Sequence, residues 1–133
     1  MPSVPAPADI QAILVVDDEP DILTVLCTHL STRRKLSVTP FSNPKQALEH
    51  FKEKQDYALV VSDIRMPEMN GIELAKQIKI INPQTKVLLM SAFDVVSLDL
   101  GLGDTKIDGF LRKPFGIREF TDMIDRLLQG KKQ

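Results

Sequence analysis

Apolar positions along the chain fall into five short runs, separated by longer stretches in which they recur at helical spacing. Residues 13–16 (Ile-Leu-Val-Val) are unbroken and end in Asp17-Asp18-Glu19. Residues 36–41 alternate apolar with polar, as a half-buried strand does. Residues 57–62 form a third run that stops at Asp63, with Pro67 four positions on. Residues 86–90 run into Ser91-Ala92, and residues 107–111 run toward Lys113-Pro114. Short β-branched runs bounded in this way predict strands, the unbroken ones buried on both faces. Between them, Ile22, Leu23, Val25, Leu26 and Leu30 predict a helix opening at Pro20 and reaching about Ser31. Asn43-Pro44 starts a second helix, Asn as N-cap and Pro at its first position, with Ala47, Leu48 and Phe51 as its inner stripe. Asn70-Gly71 marks a turn into a third, faced by Ile72, Ala75, Ile78 and Ile81 and stopped by Asn82-Pro83. Ile117, Phe120, Ile124, Leu127 and Leu128 give the last helix a strong amphipathic stripe, closed by Gly130.

Residues 94–106 fit two patterns. Val96, Leu98, Leu100 and Leu102 alternate with polar residues or glycine, while Val95, Leu98 and Leu102 share one helical face. Gly101 and Gly103 each weaken a helix by about 1 kcal/mol relative to alanine, so a weak helix is expected here. Five strands alternating with five helices predict an α/β fold with a doubly wound parallel sheet. Right-handed crossovers leave few topologies, and the flavodoxin-like order 2-1-3-4-5 is the expected one. Its switch point lies between the first and third strands, which brings Asp17 and Asp18 beside Asp63.

Composition narrows the class. Seventeen basic and 18 acidic residues give a net charge of −1, without the basic surplus of a nucleic-acid-binding surface. Cys27 has no partner for a disulfide, so a reducing cytoplasm is the expected compartment. No apolar run approaches the ~20 residues that span a bilayer, and no membrane partner is expected. The opening eight residues hold three prolines but no basic segment followed by an apolar one, and read as a disordered extension rather than a signal peptide. Cys27 and His29 lie on the first helix without further ligands, which favours a packed thiol and an ordinary imidazole over a metal site.

Asp63 alone reads as a turn former or helix cap. Its expected neighbours change that. Asp17 and Asp18 end the first strand, Ser91 ends the fourth, and Lys113 follows the fifth. Three carboxylates in one place repel each other, and neither burial nor loop formation explains gathering them. A hard divalent cation with oxygen ligands does, and Mg²⁺ (or Mn²⁺ in its place) suits one or two carboxylates with phosphate oxygens and water. Three carboxylates, one lysine and one such ion sum to about zero charge, so an incoming phosphoryl dianion meets no net repulsion. An aspartate can take up a phosphoryl group as an acyl phosphate, and a hydroxyl with a lysine can stabilise its oxygens.

These pieces together resemble the receiver domain of two-component response regulators, the chemotaxis regulators among them. The matching residues are Leu-Val-Val-Asp17-Asp18-Glu19, Val-Ser-Asp63-Ile-Arg-Met-Pro67, Asn70-Gly71, Met-Ser91-Ala92 and Lys113-Pro114-Phe115. The resemblance covers residues 12–129 and implies residues 11–130 as a receiver domain, with 1–10 as extension and 131–133 as a solvated tail. It implies that Asp63 accepts a phosphoryl group from a sensor histidine kinase or histidine phosphotransfer protein. By the same resemblance Asp18, Asp63 and the backbone carbonyl of Arg65 bind Mg²⁺ directly, Asp17 through water. Ser91 would bind the phosphoryl group and move toward it, Phe110 would be the coupled aromatic, and Lys113 would pair with the phosphoryl oxygens. The Lys113-Pro114 bond is expected to be cis. Arg65 and Phe93, two residues beyond Asp63 and Ser91, would modulate phosphoryl lifetime by shielding it from water.

The chain departs from the family after Ser91. Receivers carry an alanine-rich helix ending in Ala-Gly-Ala there, and this chain has Gly101, Gly103 and Asp104-Thr105-Lys106. The helix before the fifth strand is therefore expected to be short, irregular or mobile, and recognition of the unknown output protein to differ accordingly. Without a second domain in view, a stand-alone receiver or a piece of a longer regulator is expected. Such a domain is not an enzyme on other substrates; it catalyses only its own phosphorylation and dephosphorylation. Two alternatives stand beside this reading: an aspartate-nucleophile phosphatase-like enzyme attacking through Asp17, and an interaction domain independent of phosphorylation.

Overall fold

Strands covered on both faces need apolar side chains at every position rather than at alternate ones, and three strands of this chain have them. The computed structural model describes residues 10–92 and 105–129. In it β1 (Gln11–Val16), β3 (Leu59–Asp63) and β4 (Lys86–Ser91) are buried over most or all of their length. Strands β2 (Leu36–Phe41) and β5 (Gly109–Arg112) flank them. The order is β2-β1-β3-β4-β5, every pair parallel, as the alternation of runs predicts.

Successive side chains of a strand point to opposite faces, and the core divides accordingly. Ile13, Val15, Leu59, Val61, Leu88 and Met90 pack on one side against helices α1 (Pro20–Ser31) and α4 (Ile117–Gln129). Leu14, Val16, Val60, Val87 and Leu89 pack on the other against α2 (Pro44–Glu53) and α3 (Gly71–Ile81). Phe120 and Phe51 are the largest wholly buried side chains on the respective sides; truncating either to alanine costs about 3–5 kcal/mol. Both internal asparagine caps form. Asn43 Oδ1 accepts the Gln46 N–H at 3.0 Å and Asn70 Oδ1 accepts the Glu73 N–H at 2.8 Å. Pro40 is tolerated because β2 is an edge strand, where a missing N–H leaves no interior ladder incomplete.

Three strand starts shift from the sequence expectation, β1 beginning at Gln11 rather than at 13. β5 begins at Gly109 rather than at 107, because the Asp108 carboxylate accepts the Val87 N–H at 2.8 Å and the Lys79 ammonium at 2.8 Å. β3 begins at Leu59 rather than at 57; the Tyr57 hydroxyl reaches His50 Nε2 at 2.7 Å and Thr39 Oγ1 at 3.1 Å. Four helices are present among the described residues. Phe93, the helix expected over most of 94–106, the extension 1–9 and the tail 131–133 lie outside those residues. The carboxyl ends of β1, β3, β4 and β5 share one edge of the sheet, and the crossovers diverge between β1 and β3. A crevice at such a switch point is where sheets of this kind bind ligands.

Candidate functional site

Asp17 follows β1 directly and is wholly buried. Its N–H donates to the Phe41 carbonyl at 3.1 Å, which continues the β1–β2 ladder by one residue. Its Oδ1 accepts the Glu19 N–H at 3.0 Å, so the turn into α1 fixes the carboxylate from below. Asp63 is the last residue of β3 and is buried, while Asp18 is half-buried. One carboxylate oxygen from each of Asp17, Asp18 and Asp63 lies within 4.8 Å of the others. Lys113, in the turn between β5 and α4, reaches over this group. Its Nζ stands 3.3 Å from Asp63 Oδ2 and 3.5 Å from Asp17 Oδ2. The Lys113 N–H donates to the Ser91 carbonyl at 2.7 Å, and the Lys113-Pro114 bond is cis, as expected.

The electrostatics follow from the burial. Desolvation raises the Asp63 carboxyl above the ordinary carboxylate range, against the pull of Lys113, and Asp17 and Asp18 add to the rise. Asp17 is raised for the same first reason, despite the Glu19 N–H and Lys113. Burial would lower the Lys113 ammonium, but Asp17 and Asp63 outweigh it and hold it above the ordinary lysine range. The site without a cation thus carries more negative charge than its one lysine offsets. Three carboxylate oxygens within 4.8 Å are a hard-oxygen donor set of the kind that suits Mg²⁺.

Asp63 is held from behind by a close packing that the sequence shows only as a turn. A Cβ on Gly71 would come within 2.2 Å of the Asp63 carbonyl oxygen and 3.0 Å of its carbonyl carbon. The first residue of α3 must be glycine for the helix to start against the strand end. The Gly71 N–H donates to the Ile64 carbonyl at 2.8 Å, closing the base of the β3–α3 loop.

A sheet of order 2-1-3-4-5 with an acidic cluster, a serine and a lysine at its carboxyl edge can be compared with known proteins. The family model described as "response regulator receiver domain" matches residues 13–125. The chain belongs to that family. It is similar to the response regulator receiver protein CpdR of Brucella abortus, 33% identical over 116 residues that are 87% of this chain and 95% of CpdR. It is 35% identical over 114 residues to the DNA-binding transcriptional regulator NtrC of Klebsiella pneumoniae, 86% of this chain but 24% of NtrC. It likewise spans 48% of the transcriptional regulatory protein PhoP of Bacillus subtilis. Among solved structures, the response regulator protein TrrA of Thermotoga maritima, in complex with Mg²⁺-BeF, superposes with a TM-score of 0.76 at 30% identity, covering 89% of this chain and 99% of TrrA. A receiver domain protein from Clostridium thermocellum gives 0.80 at 26% identity, covering 92% and 98%.

The receiver fold gathers the expected residues unevenly. Asp17, Asp18, Asp63 and Lys113 form one cluster. Ser91 is buried at the end of β4, adjacent in register to the pairing of Asp63 with Met90. Phe110 is half-buried against the core under α2 and α3. Arg65 is exposed in the β3–α3 loop, and Phe93 lies outside the described residues. Sequence reasoning missed the packing of Gly71 on Asp63, for which the Asn-Gly pair was the only visible signal. It also missed the backbone at Glu68, with φ of 73°, for which the sequence carries none.

Proposed function

We propose that this receiver is phosphorylated on Asp63 with Mg²⁺ beside it, or Mn²⁺ in its place. The observation that supports this best is the Lys113 ammonium, within 3.5 Å of both Asp17 and Asp63 in a cluster of three carboxylates. Response regulators receive their phosphoryl group from histidine kinases; in this chain the donor is a phosphohistidine of a sensor kinase or histidine phosphotransfer protein. An Asp63 carboxylate oxygen forms a P–O bond as the P–N bond of the donor breaks, and that electron pair stays on the imidazole nitrogen. Asp18, Asp63 and the Arg65 carbonyl would hold the cation directly, and Asp17 through water. Bound there, the ion supplies positive charge to the phosphoryl oxygens. Lys113 and Ser91 bind those oxygens, Ser91 by moving toward them, with Phe110 following. Arg65 and Phe93 shield the acyl phosphate from water and lengthen its life.

Residues 11–130 are the receiver unit, and its output is a change of surface read by another protein in the cytoplasm. No helix among the described residues is long and apolar enough to cross a membrane. The domain acts on no other phosphate ester. A phosphatase-like enzyme would need Asp17 as nucleophile, and Asp17 is wholly buried where Asp63 keeps some exposure. Incubation with Mg²⁺ and acetyl phosphate followed by intact-mass measurement tests the reading. A mass increase of about 80 Da that is absent in Asp63→Asn is expected. No adduct on the unaltered chain, or an adduct that survives the substitution, sinks it.

A further inference from the structure

The β3–α3 loop carries a strained turn with a side-chain latch on it. The Met69 N–H donates to the Pro67 carbonyl at 2.8 Å, which closes a three-residue γ-turn centred on Glu68. Glu68 sits at φ of 73°, and among the described residues no other non-glycine has a positive φ. That form of the γ-turn is the rare, strained one, and a residue with a Cβ adopts it only where its surroundings impose it. At the base, Gly71 is bonded to Ile64 and pressed on Asp63. At the tip, the Glu68 carboxylate accepts from Asn43 Nδ2 at 3.4 Å. Asn43 is itself fixed, because its Oδ1 caps α2 through the Gln46 N–H. Its two polar atoms therefore do different work, the oxygen on the helix and the nitrogen on the loop. Between base and tip lies Arg65.

We infer that Glu68, latched to Asn43, is a positioning residue for the cation: the latch holds the strained turn, and the turn fixes the loop from which the Arg65 carbonyl is presented. The inference rests on the Mg²⁺ reading proposed above. It assigns a role in the phosphoryl site to the N-cap of α2, an element that supplies none of the carboxylates.

Two pairs of variants separate the latch from charge and from helix capping. Glu68→Ala and Glu68→Gly remove the same charge and the same latch, but only alanine keeps the backbone strain. Asn43→Ser keeps a cap acceptor and changes no charge, yet gives up the amide donor. Mg²⁺ affinity is read from the shift of the thermal midpoint with Mg²⁺ concentration, and loop order from amide exchange at residues 65–70 without metal. Asn43→Ser is expected to weaken Mg²⁺ binding about threefold, the size of one exposed hydrogen bond. Glu68→Ala is expected to bind about fivefold more weakly than Glu68→Gly, the cost of a Cβ in left-handed backbone. Amide exchange is expected to be faster in Asn43→Ser and Glu68→Ala than in the unaltered chain. Adding Asn43→Ser to Glu68→Gly is expected to change nothing further. Equal affinities for Glu68→Ala and Glu68→Gly, or an unaltered affinity in Asn43→Ser, overturn the positioning role while the unaltered chain still responds to Mg²⁺. No Mg²⁺ response in the unaltered chain overturns the cation reading itself, and the positioning role with it.

Discussion

Replacing Asp63 by asparagine removes the proposed phosphoryl acceptor, and in the absence of metal it should make the domain more stable. At an effective dielectric constant of about 20, two like charges 4.8 Å apart repel by about 3.5 kcal/mol. The Asp63 carboxylate faces two such neighbours, Asp17 and Asp18. It gains from one cation, Lys113, at 3.3 Å, worth about 5 kcal/mol on the same scale. Lys113 offsets most of that repulsion, and the burial that raises the Asp63 carboxyl decides the sign, so a net gain of about 2 kcal/mol is expected without the charge. Asparagine keeps the shape and gives up the charge. A gain of about 2 kcal/mol in a domain of this size corresponds to a thermal midpoint higher by about 5–10 °C. Melting both proteins in EDTA and across a Mg²⁺ series checks this. The asparagine variant is expected to lead in EDTA and to lose that lead as Mg²⁺ rises, because the ion stabilises only the chain that binds it well. An Asp63→Asn protein that melts at or below the unaltered chain in EDTA would refute the charge argument, and a constant gap across the series would refute the metal site.

The same groups set a pH dependence. Asp17 and Asp63 are raised in the folded state, so the folded chain keeps protons that the unfolded chain has already released. Metal-free stability should therefore fall as pH rises from about 4 through the raised values, and the fall should be shallower in Asp63→Asn when both are followed by urea unfolding. Lys113 is raised as well, so its contribution is intact below the ordinary lysine range and lost as pH climbs through its folded value. Gly71→Ala places a methyl group 2.2 Å from the Asp63 carbonyl oxygen; a loss of about 2 kcal/mol or more on denaturant unfolding is expected, with weaker Mg²⁺ binding, and unchanged values for both would show that α3 starts elsewhere. Burial pushes the Cys27 thiol up to about 11 from 9.0, which cuts its thiolate fraction at neutral pH about 100-fold; after the greater nucleophilicity of a more basic thiolate, alkylation about 10-fold slower than that of a free thiol is expected. A rate equal to that of the unfolded chain would contradict the packing of α1.

Local chemistry made most of the fold readable. The strands β1, β3 and β4 are unbroken apolar runs because a parallel strand between two helical layers has no wet face. The helices α2 and α3 open at asparagines that cap them, and a cap needs only the three residues that follow it. The site was readable for a related reason: Asp17, Asp63, Ser91 and Lys113 each end or closely follow a run, and the strand order then brings those ends together. Boundaries were less readable where a side chain substituted for a backbone partner, as Asp108 does at Val87.

By itself, then, the sequence determined which residues stand at the carboxyl edge of the sheet, an acidic cluster of the kind that suits a hard divalent cation. Only the tertiary structure decided how they are held. The 3.3 Å approach of Lys113 to Asp63, the contact of Gly71 with the Asp63 carbonyl and the Glu68–Asn43 latch all join residues far closer in space than their position in any local pattern suggests. Periodicity reports which face of an element is buried. It carries no distance between elements, and the chemistry at this site depends on such distances.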